Sequence, residues 1–229
     1  MQGKRLFEPR DHAVNIIVPR GKAMWASLKT AKGFKGDTEK EHHLCDVIIT
    51  EEEAQPIMEA CTGVQEKLLD RCGKDDKRMA LANSRPWKTH EDDPQNIPAG
   101  YVQIKTKKRA FRASGNKPAT PPIPTYVDGK KIDWDTADYN VGNGSIIEIA
   151  CAVTPYYVPG PVGLGVTLQL KAVKVIELKK YVAGESGDTF YEDAFADGKK
   201  TVASESAPSS TVVIDDDRDE PRLDENYFD

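Results

Sequence analysis

The amino-acid sequence predicts a mainly β protein with a single helix. About seven segments alternate apolar and polar residues, or run apolar, as strands do. One segment with helical spacing falls between the third and the fourth of them, and clusters of glycine and proline separate the later ones. A curled antiparallel sheet with one helix inserted mid-sequence predicts an OB-fold-like antiparallel five-stranded barrel with elaborated loops. An open β-sandwich is the alternative architecture.

The first part of the chain is predicted to be β. Residues 13–18 form an apolar run that ends in a Pro-Arg-Gly turn signal, and residues 22–28 follow as a second strand. A basic loop with two glycines occupies residues 29–36, and a third apolar segment covers residues 43–50. We therefore expect two short strands joined by a turn before the third strand.

The helix is predicted to begin at a capping box. Thr50 and Glu53 have the spacing at which each side chain bonds the backbone N–H of the other. Apolar residues then recur at helical spacing as far as Cys72, and Gly73 follows as a stop signal. The single apolar stripe predicts a helix lying across the surface of a sheet, with a kink or second start at Pro56.

Four further β segments are predicted in the second half. A long polar connection at residues 74–99 leads to a strand at residues 101–112, and a proline-rich interruption precedes residues 125–132. The two best strands, residues 145–157 and 165–178, are joined by a loop of proline and glycine and close the domain.

The charge of the chain is divided unevenly. Residues 1–182 hold 28 basic and 23 acidic residues, whereas residues 183–229 hold 4 basic and 14 acidic ones. This division predicts a folded nucleic-acid-binding domain at 1–182 and a disordered acidic tail at 183–229. Such a tail can occupy the anion-binding surface of its own body or recruit other proteins, and a tail that only solubilises is the alternative. The tail residues expected to act are Asp215, Asp216, Asp217, Asp219, Glu220, Asp224, Glu225 and Phe228.

Composition and motifs argue against a membrane protein, a metalloprotein and an enzyme. No stretch approaches the 18 apolar residues of a membrane span, and no apolar signal-peptide run opens the chain, so we expect a protein of the cytoplasm. The four cysteines form no zinc pattern, and no nucleotide-binding or hydrolase motif is present, so we expect no cofactor. A metal-dependent nuclease is an alternative that would use the carboxylates and lysine of Asp128-Gly129-Lys130, Glu148, Asp133 and Asp135. It is disfavoured because Asp128-Gly129 between two extended runs is first of all a turn signal.

The most informative functional pattern lies at residues 101–112. Val102, Ile104 and Thr106 are expected to face inward, and the outer face combines cations and aromatic rings at Tyr101, Gln103, Lys105, Lys107 and Arg109. Lysine and arginine neutralise phosphates, and an aromatic ring stacks on an unpaired base. The alternative explanation is an exposed edge strand whose lysines prevent it from pairing with another sheet edge.

The same mixture of basic and aromatic residues recurs around Trp25, around Trp87 and at Tyr156. Recurrence favours sequence-tolerant binding of single strands, because every base has a π face and every nucleotide a charge. The residues predicted to contact DNA are Trp25, Lys29, Lys35, Tyr101, Lys105, Lys107, Arg109, Phe111, Arg112 and Tyr156.

Residues 144–178 resemble the closing strand pair of single-stranded DNA-binding proteins from short-tailed phages. In those proteins a strand ends in Pro-Tyr, a short loop with glycine follows, and the last strand has a fixed pattern of apolar residues. The matching residues here are Pro155, Tyr156, Val166, Leu168, Gln169, Leu170, Val173, Glu177 and Leu178. The family order of early strands, one helix, a basic strand, a turn, a closing pair and an acidic tail is also similar.

The resemblance implies an OB-fold protein that coats single-stranded DNA during phage replication and recombination in the infected bacterium. It implies that the acidic tail competes with DNA and contacts the replicative DNA polymerase and the primase-helicase. The family tail ends in an aromatic residue, whereas here Phe228 is followed by Asp229. The resemblance also suggests a homodimer, which no heptad or apolar stripe supports. An RNA-binding OB-fold protein and an adaptor acting through its tail stay open as alternatives.

Overall fold

The computed structural model describes residues 13–33, 41–72, 84–111, 118–158 and 163–181. These residues are mainly β, with one helix among them. In chain order the elements are β1 (Val14–Met24), β2 (Lys32–Gly33), β3 (Glu41–Leu44), β4 (Asp46–Thr50), α1 (Glu51–Cys72), β5 (Trp87–Thr89), β6 (Tyr101–Ile104), β7 (Thr106–Arg109), β8 (Thr125–Val127), β9 (Lys130–Lys131), β10 (Ile146–Val158) and β11 (Gly163–Glu177).

The long strands close into a barrel. β3 and β4 are two pieces of one strand interrupted at Cys45, β6 and β7 are two pieces of another interrupted at Lys105, and the two composite strands pair antiparallel in one register. β1 pairs with β4 and with β10, β10 pairs with β11, and β11 pairs in parallel with β7. The ring therefore runs β1, β3–β4, β6–β7, β11, β10 and back to β1. This closure confirms the predicted OB-fold-like five-stranded barrel, which is antiparallel except at β7 and β11.

The core fills the inside of this ring. Because side chains alternate between the two faces of a strand, every second residue of β10 and β11 points inward until a bulge shifts the register. The buried inward residues of these two strands are Ile147, Ile149, Cys151, Val153, Tyr157, Leu164, Val166, Leu168, Leu170, Val173 and Val175. Removing this apolar surface from water is the main stabilising contribution of the barrel.

Helix α1 closes one end of the barrel. It begins at the predicted capping box, where Glu53 N–H donates to Thr50 Oγ1 at 3.3 Å and Thr50 N–H donates to Glu53 Oε2 at 3.1 Å. The helix contacts β1, β4, β6, β10 and β11, and its apolar stripe joins the core through Ala54, Ile57, Cys61, Val64 and Leu68. The helix therefore packs against one sheet through its apolar stripe, as expected, and this sheet is curled. The helix is also continuous through Pro56.

The two strands expected at residues 13–28 are one strand. β1 runs through the supposed turn, and its pairing with β10 shifts register between Val18 and Gly21, which is a β-bulge. Gly21 is needed there for close approach, since a Cβ atom would lie 2.5 Å from the carbonyl oxygen of Ile48. The Pro-Arg-Gly sequence therefore bends the strand without reversing it.

The connection predicted at residues 74–99 contains a short strand. β5 pairs antiparallel with β6 on the edge that β6 does not share with β4, and it buries Trp87 in the core. Polar composition hid this strand because only one of its three residues, Trp87, is buried. The expected Asp128-Gly129 turn is confirmed: both residues have positive φ, 50° and 75°, as a two-residue hairpin between β8 and β9 requires.

Among the described residues, no helix has the length and apolar character needed to cross a membrane. The predicted tail at residues 183–229 lies outside the described residues, so its boundary with the barrel stays a prediction.

Candidate nucleic-acid interface

The outer face of the composite strand β6–β7 holds three cations in succession. Lys105, Lys107 and Arg109 alternate along this strand with residues that point toward the barrel interior. The inward residues Val102, Ile104 and Thr106 are all buried, as the alternation predicted. We call Lys105, Lys107 and Arg109 the cationic strand face. Their spacing of two residues places successive charges about 7 Å apart along one line.

An aromatic ring ends this line of charge. The Arg109 guanidinium carbon lies 5.0 Å from the centre of the Phe111 ring, within the range of a cation–π contact. Phe111 is 58% exposed, and reciprocal hydrogen bonds of 2.9 Å with Thr120 fix its backbone. A flat ring is therefore held beside a cation and open to solvent, which is the arrangement that binds a base and its phosphate together.

Tyr101 lies at the other end of the same composite strand. It pairs with Thr50 and borders a pocket of about 300 Å³ on the outer face of β1, β4 and β10. Cations and carboxylates both line this pocket, whose other residues are Arg20, Gly21, Lys22, Ile48, Ile49, Thr50, Glu53, Ile146 and Glu177. Tyr101 therefore shares the strand with the cationic strand face but has surroundings of mixed charge.

Trp25 follows β1 directly and lies two strands from the cationic strand face. The pairing of β1 with β4 ends where Met24 lies beside Asp46, and the next strand along the sheet is the composite strand β6–β7. Two strand spacings are about 10 Å. Trp25 has a φ of 52°, which is unusual for a bulky residue, and its N–H donates to Asn143 Oδ1 at 2.8 Å. The kinked backbone at Trp25 therefore fixes the position of the half-exposed indole ring.

The side chains of Tyr156 and Lys29, both predicted to contact DNA, hold parts of the fold together. Tyr156 is only 7% exposed, its ring lies against Gly165, and its hydroxyl is 2.7 Å from Ser84 Oγ. Lys29 Nζ donates to the Ala137 carbonyl oxygen at 3.1 Å. Either residue would have to leave its contact to meet a ligand, so we do not include them in the interface proposed below. Lys35 and Arg112 lie outside the described residues.

A buried polar pair beneath the outer face escaped the sequence analysis. Gln103 Nε2 donates to Asp46 Oδ2 at 2.7 Å, and both side chains are buried although their positions face outward. Alternation alone marked Gln103 as a surface residue. Asp46 is the first residue of β4, and the register that places it diagonally opposite Gln103 requires knowledge of the strand pairing.

Burial also perturbs two titratable groups near the cationic strand face. The pKa of Lys108 lies below its ordinary value because the side chain is partly desolvated and the Lys171 charge repels it. The pKa of His43, which points into the barrel, is lowered mainly by burial. His43 Nδ1 lies 3.1 Å from the Ser27 carbonyl oxygen, so Nδ1 is the nitrogen that bears the proton of the neutral ring.

The carboxylates of the nuclease alternative are engaged separately. Glu148 accepts a hydrogen bond from Lys174 Nζ at 2.9 Å on one strand pair, and Asp133 accepts from Asp135 N–H in a local turn. Within the described ranges, no three histidine, cysteine or carboxylate side chains come together as metal ligands.

Comparison with solved structures identifies the fold. The crystal structure of gp2.5, a single-stranded DNA binding protein encoded by bacteriophage T7, matches with a TM-score of 0.58 and 18% sequence identity, over 85% of this chain and 100% of that one. The chain shares its fold with gp2.5. The single-stranded DNA-binding protein of bacteriophage Enc34, in complex with ssDNA, matches at a TM-score of 0.48 and 12% identity, over 72% of this chain and 87% of that one. This second likeness is too weak to support an argument.

No protein-family model matches the chain, and no curated protein matches it in sequence. The likeness to gp2.5 therefore rests on the arrangement of the strands and of the helix.

Proposed function

We propose that this protein binds single-stranded DNA without sequence preference and belongs with the single-stranded DNA-binding proteins of short-tailed phages. The observation that supports this most directly is the cationic strand face, three cations on one line that ends at the exposed Phe111 ring. Phosphates would contact the cations while a base stacks on the ring. Both contacts tolerate any sequence.

The scaffold fits this proposal. The cationic strand face lies on the third strand of an OB-like barrel, β6–β7, which pairs with the second strand, β3–β4. Strands two and three form the surface that such barrels use for oligonucleotides. The fold is shared with gp2.5 of bacteriophage T7, described as a single-stranded DNA binding protein. Reading of a duplex would call for a helix inserted in the major groove. Here α1 has three glutamates in its first turn and buries its apolar stripe in the barrel.

A titration with labelled oligonucleotides tests the proposal. The full chain is mixed with a single-stranded DNA homopolymer, the RNA of matching sequence and a DNA duplex, each at two salt concentrations. We expect the tightest binding to the DNA single strand, weakened by salt. Equal or tighter binding of the RNA would favour the RNA-binding alternative, and no binding of any nucleic acid would leave the adaptor alternative.

We further propose that the acidic tail regulates this binding and recruits replication proteins during replication and recombination. Residues 183–229 have a net charge of −10, against +5 for the rest of the chain, so the tail is attracted to the surface that phosphates would occupy. Phe228 and the carboxylates from Asp215 onward would then engage the polymerase and the primase-helicase when DNA displaces the tail.

Removal of the tail from Asp215 onward tests its regulatory part. The truncated protein should bind single-stranded DNA more tightly at low salt and converge with the full chain at high salt, because screening weakens the competing attraction. Unchanged affinity at low salt would contradict autoinhibition by the tail while leaving the DNA-binding proposal intact.

A further inference from the structure

The hairpin β8–β9 extends the barrel sheet with a second mixture of basic and aromatic residues. β8 pairs in parallel with β11, and this pairing places Tyr126 beside Lys174. On its other side β8 pairs with β9, and Tyr126 lies beside Lys131. Lys131, Tyr126 and Lys174 therefore form one row across three strands. We call these three residues the hairpin face.

The row points outward. Thr125, Val173 and Val175, which flank Tyr126 and Lys174 along their strands, are all buried on the inner side. Tyr126 is 37% exposed, and Lys131 and Lys174 are exposed as well. The hairpin face was missed in the sequence because an Asp-Gly turn explains the segment without any ligand.

The hairpin is firmly anchored. Ile132 N–H donates to the Thr125 carbonyl oxygen at 2.7 Å, which continues the hairpin ladder past β9. The indole N–H of the buried Trp134 donates to the Ile123 carbonyl oxygen at 2.9 Å, just before β8 begins. Tyr126 is thus presented on a rigid element, so stacking on it would cost little ordering entropy.

The hairpin face is continuous with the cationic strand face. β7 and β8 occupy successive stretches of the same edge of β11: Lys107 lies beside Gln169, and Tyr126 beside Lys174. Five residues of β11 span this interval, about 16 Å. Lys171 lies within it and donates to Gln169 Oε1. A line of cations therefore runs from β7 along β11 to the hairpin.

Among the described residues, Glu148 and Asp128 are carboxylates that lie near this line. Glu148 accepts a hydrogen bond from Lys174 at 2.9 Å, and Asp128 is exposed at the hairpin tip. Against them stand Lys130, Lys131, Lys171 and Lys174, so the surface is net positive. The pair of Glu148 and Lys174 is largely exposed and is worth at most about 1 kcal/mol, which a phosphate can offset.

We propose that the hairpin face is a second contact site for the same nucleic-acid strand, in which one base stacks on Tyr126 between Lys131 and Lys174. This inference rests on the proposed single-stranded DNA binding and assigns it a longer path. In this proposal, a DNA strand that contacts the cationic strand face continues along β11 and ends on the hairpin face.

The proposal predicts a dependence on strand length. An oligonucleotide of about 4 nucleotides, the lower end of OB-fold site sizes, occupies the cationic strand face alone, whereas one of about 16 nucleotides reaches both faces. The double variant Tyr126→Ala/Lys131→Ala should bind the short oligonucleotide like the unmodified protein. It should bind the long one about 10-fold or more weakly, since a stacked base alone contributes a factor of about 5 to 150.

A matched control comes from the exposed tyrosine and lysine that lie away from both faces. The double variant Tyr181→Ala/Lys67→Ala removes the same two residue types from the segment after β11 and from helix α1. It should leave binding of both lengths unchanged. Circular dichroism melting of each variant verifies that the barrel is intact before affinities are compared.

The decisive measurement is photo-crosslinking of the full chain to a 16-nucleotide strand with 5-iododeoxyuridine at successive positions, followed by peptide mapping. We expect an adduct on Tyr126 when the substituted base is near one end of the strand. If the hairpin variant binds the long oligonucleotide as tightly as the unmodified protein does, and no adduct forms on Tyr126, the second site is overturned. Failure of the unmodified protein to bind either oligonucleotide would instead overturn the proposed function, so the two failures are distinguishable.

Discussion

Replacement of Lys107 by alanine tests whether this lysine contacts a phosphate of the DNA or only supports the fold. Lys107 lies in the middle of the cationic strand face, beside Leu44 on β3 and Gln169 on β11. Each phosphate neutralised by a protein cation on a single strand contributes about −0.7 to the slope of log affinity against log salt concentration. The Lys107→Ala variant should therefore have a slope shallower by about 0.7, and the Lys105→Ala/Lys107→Ala variant a slope shallower by about 1.4.

These slopes translate into ratios of affinity. Between about 50 and 200 mM salt the concentration rises fourfold, so a slope change of about 0.7 alters the affinity ratio of unmodified protein to variant by about 2.6-fold. For the double variant the same interval gives about 7-fold. The loss of affinity should be largest at low salt and should shrink as salt rises, because each lost contact is electrostatic.

Fluorescence anisotropy of a labelled single-stranded homopolymer, measured at four salt concentrations, gives both slopes. Lys67→Ala is the matched control, because Lys67 is an exposed lysine on α1, at the barrel end that the helix closes. This control changes the net charge by the same amount and should leave the slope unaltered. A slope for Lys107→Ala equal to that of Lys67→Ala would refute the assignment of the cationic strand face to DNA.

Three further predictions follow from single contacts. The Phe111→Ala variant should bind single-stranded DNA about 5- to 150-fold more weakly, because a stacked ring contributes about 1–3 kcal/mol. The slope of log affinity against log salt concentration should not change, because the ring carries no charge. A changed slope in the same titration would contradict stacking. The Gly165→Ala variant should melt about 2–12 °C lower by circular dichroism, because the added Cβ would lie 2.2 Å from Tyr156 Cζ and overpacking costs about 1–3 kcal/mol. Gly63→Ala, whose Cβ meets nothing within 4 Å on α1, is the control and should not melt lower. Burial lowers the pKa of His43 below the ordinary histidine value of 6.5, so the unfolded chain binds the proton more readily than the folded chain does. The stability that the neutral His43 ring contributes is full above that value and is lost as pH falls through the folded pKa. The free energy of unfolding in urea, measured between about pH 5 and 8, should therefore depend on pH with different slopes for the chain and for its H43N variant, and equal slopes would contradict the buried neutral ring.

Local patterns in the sequence were enough to predict which face of the composite strand β6–β7 is buried and where the helix begins. The pattern of Val102, Ile104 and Thr106 predicted the inward face of β6–β7, and the Thr50 capping box predicted where α1 begins. Both signals are local, because a period of two residues or a three-residue spacing is visible without knowledge of any other segment.

Features that depend on long-range pairing could not be predicted in this way. Pro19 indicated a turn, but the register of β1 against β10 makes the segment a bulge. Gln103 was assigned to the surface because its partner Asp46 comes from a strand 57 residues away. Tyr156 was expected to stack on a base, yet Gly165, a neighbour only across the closing strand pair, leaves the space that its ring fills.

The short strand β5 bears on whether copies of this protein can form β-sheet with one another. Coating a DNA strand would bring many molecules into close contact, and an unpaired sheet edge in each would offer a template for intermolecular β-sheet. β5 covers the outer edge of β6, and Lys105 N–H, at the interruption between β6 and β7, donates to the Pro86 carbonyl oxygen at 2.9 Å. If copies of the protein were crowded on DNA, this three-residue segment would therefore keep the edge of β6 from pairing with a neighbouring copy.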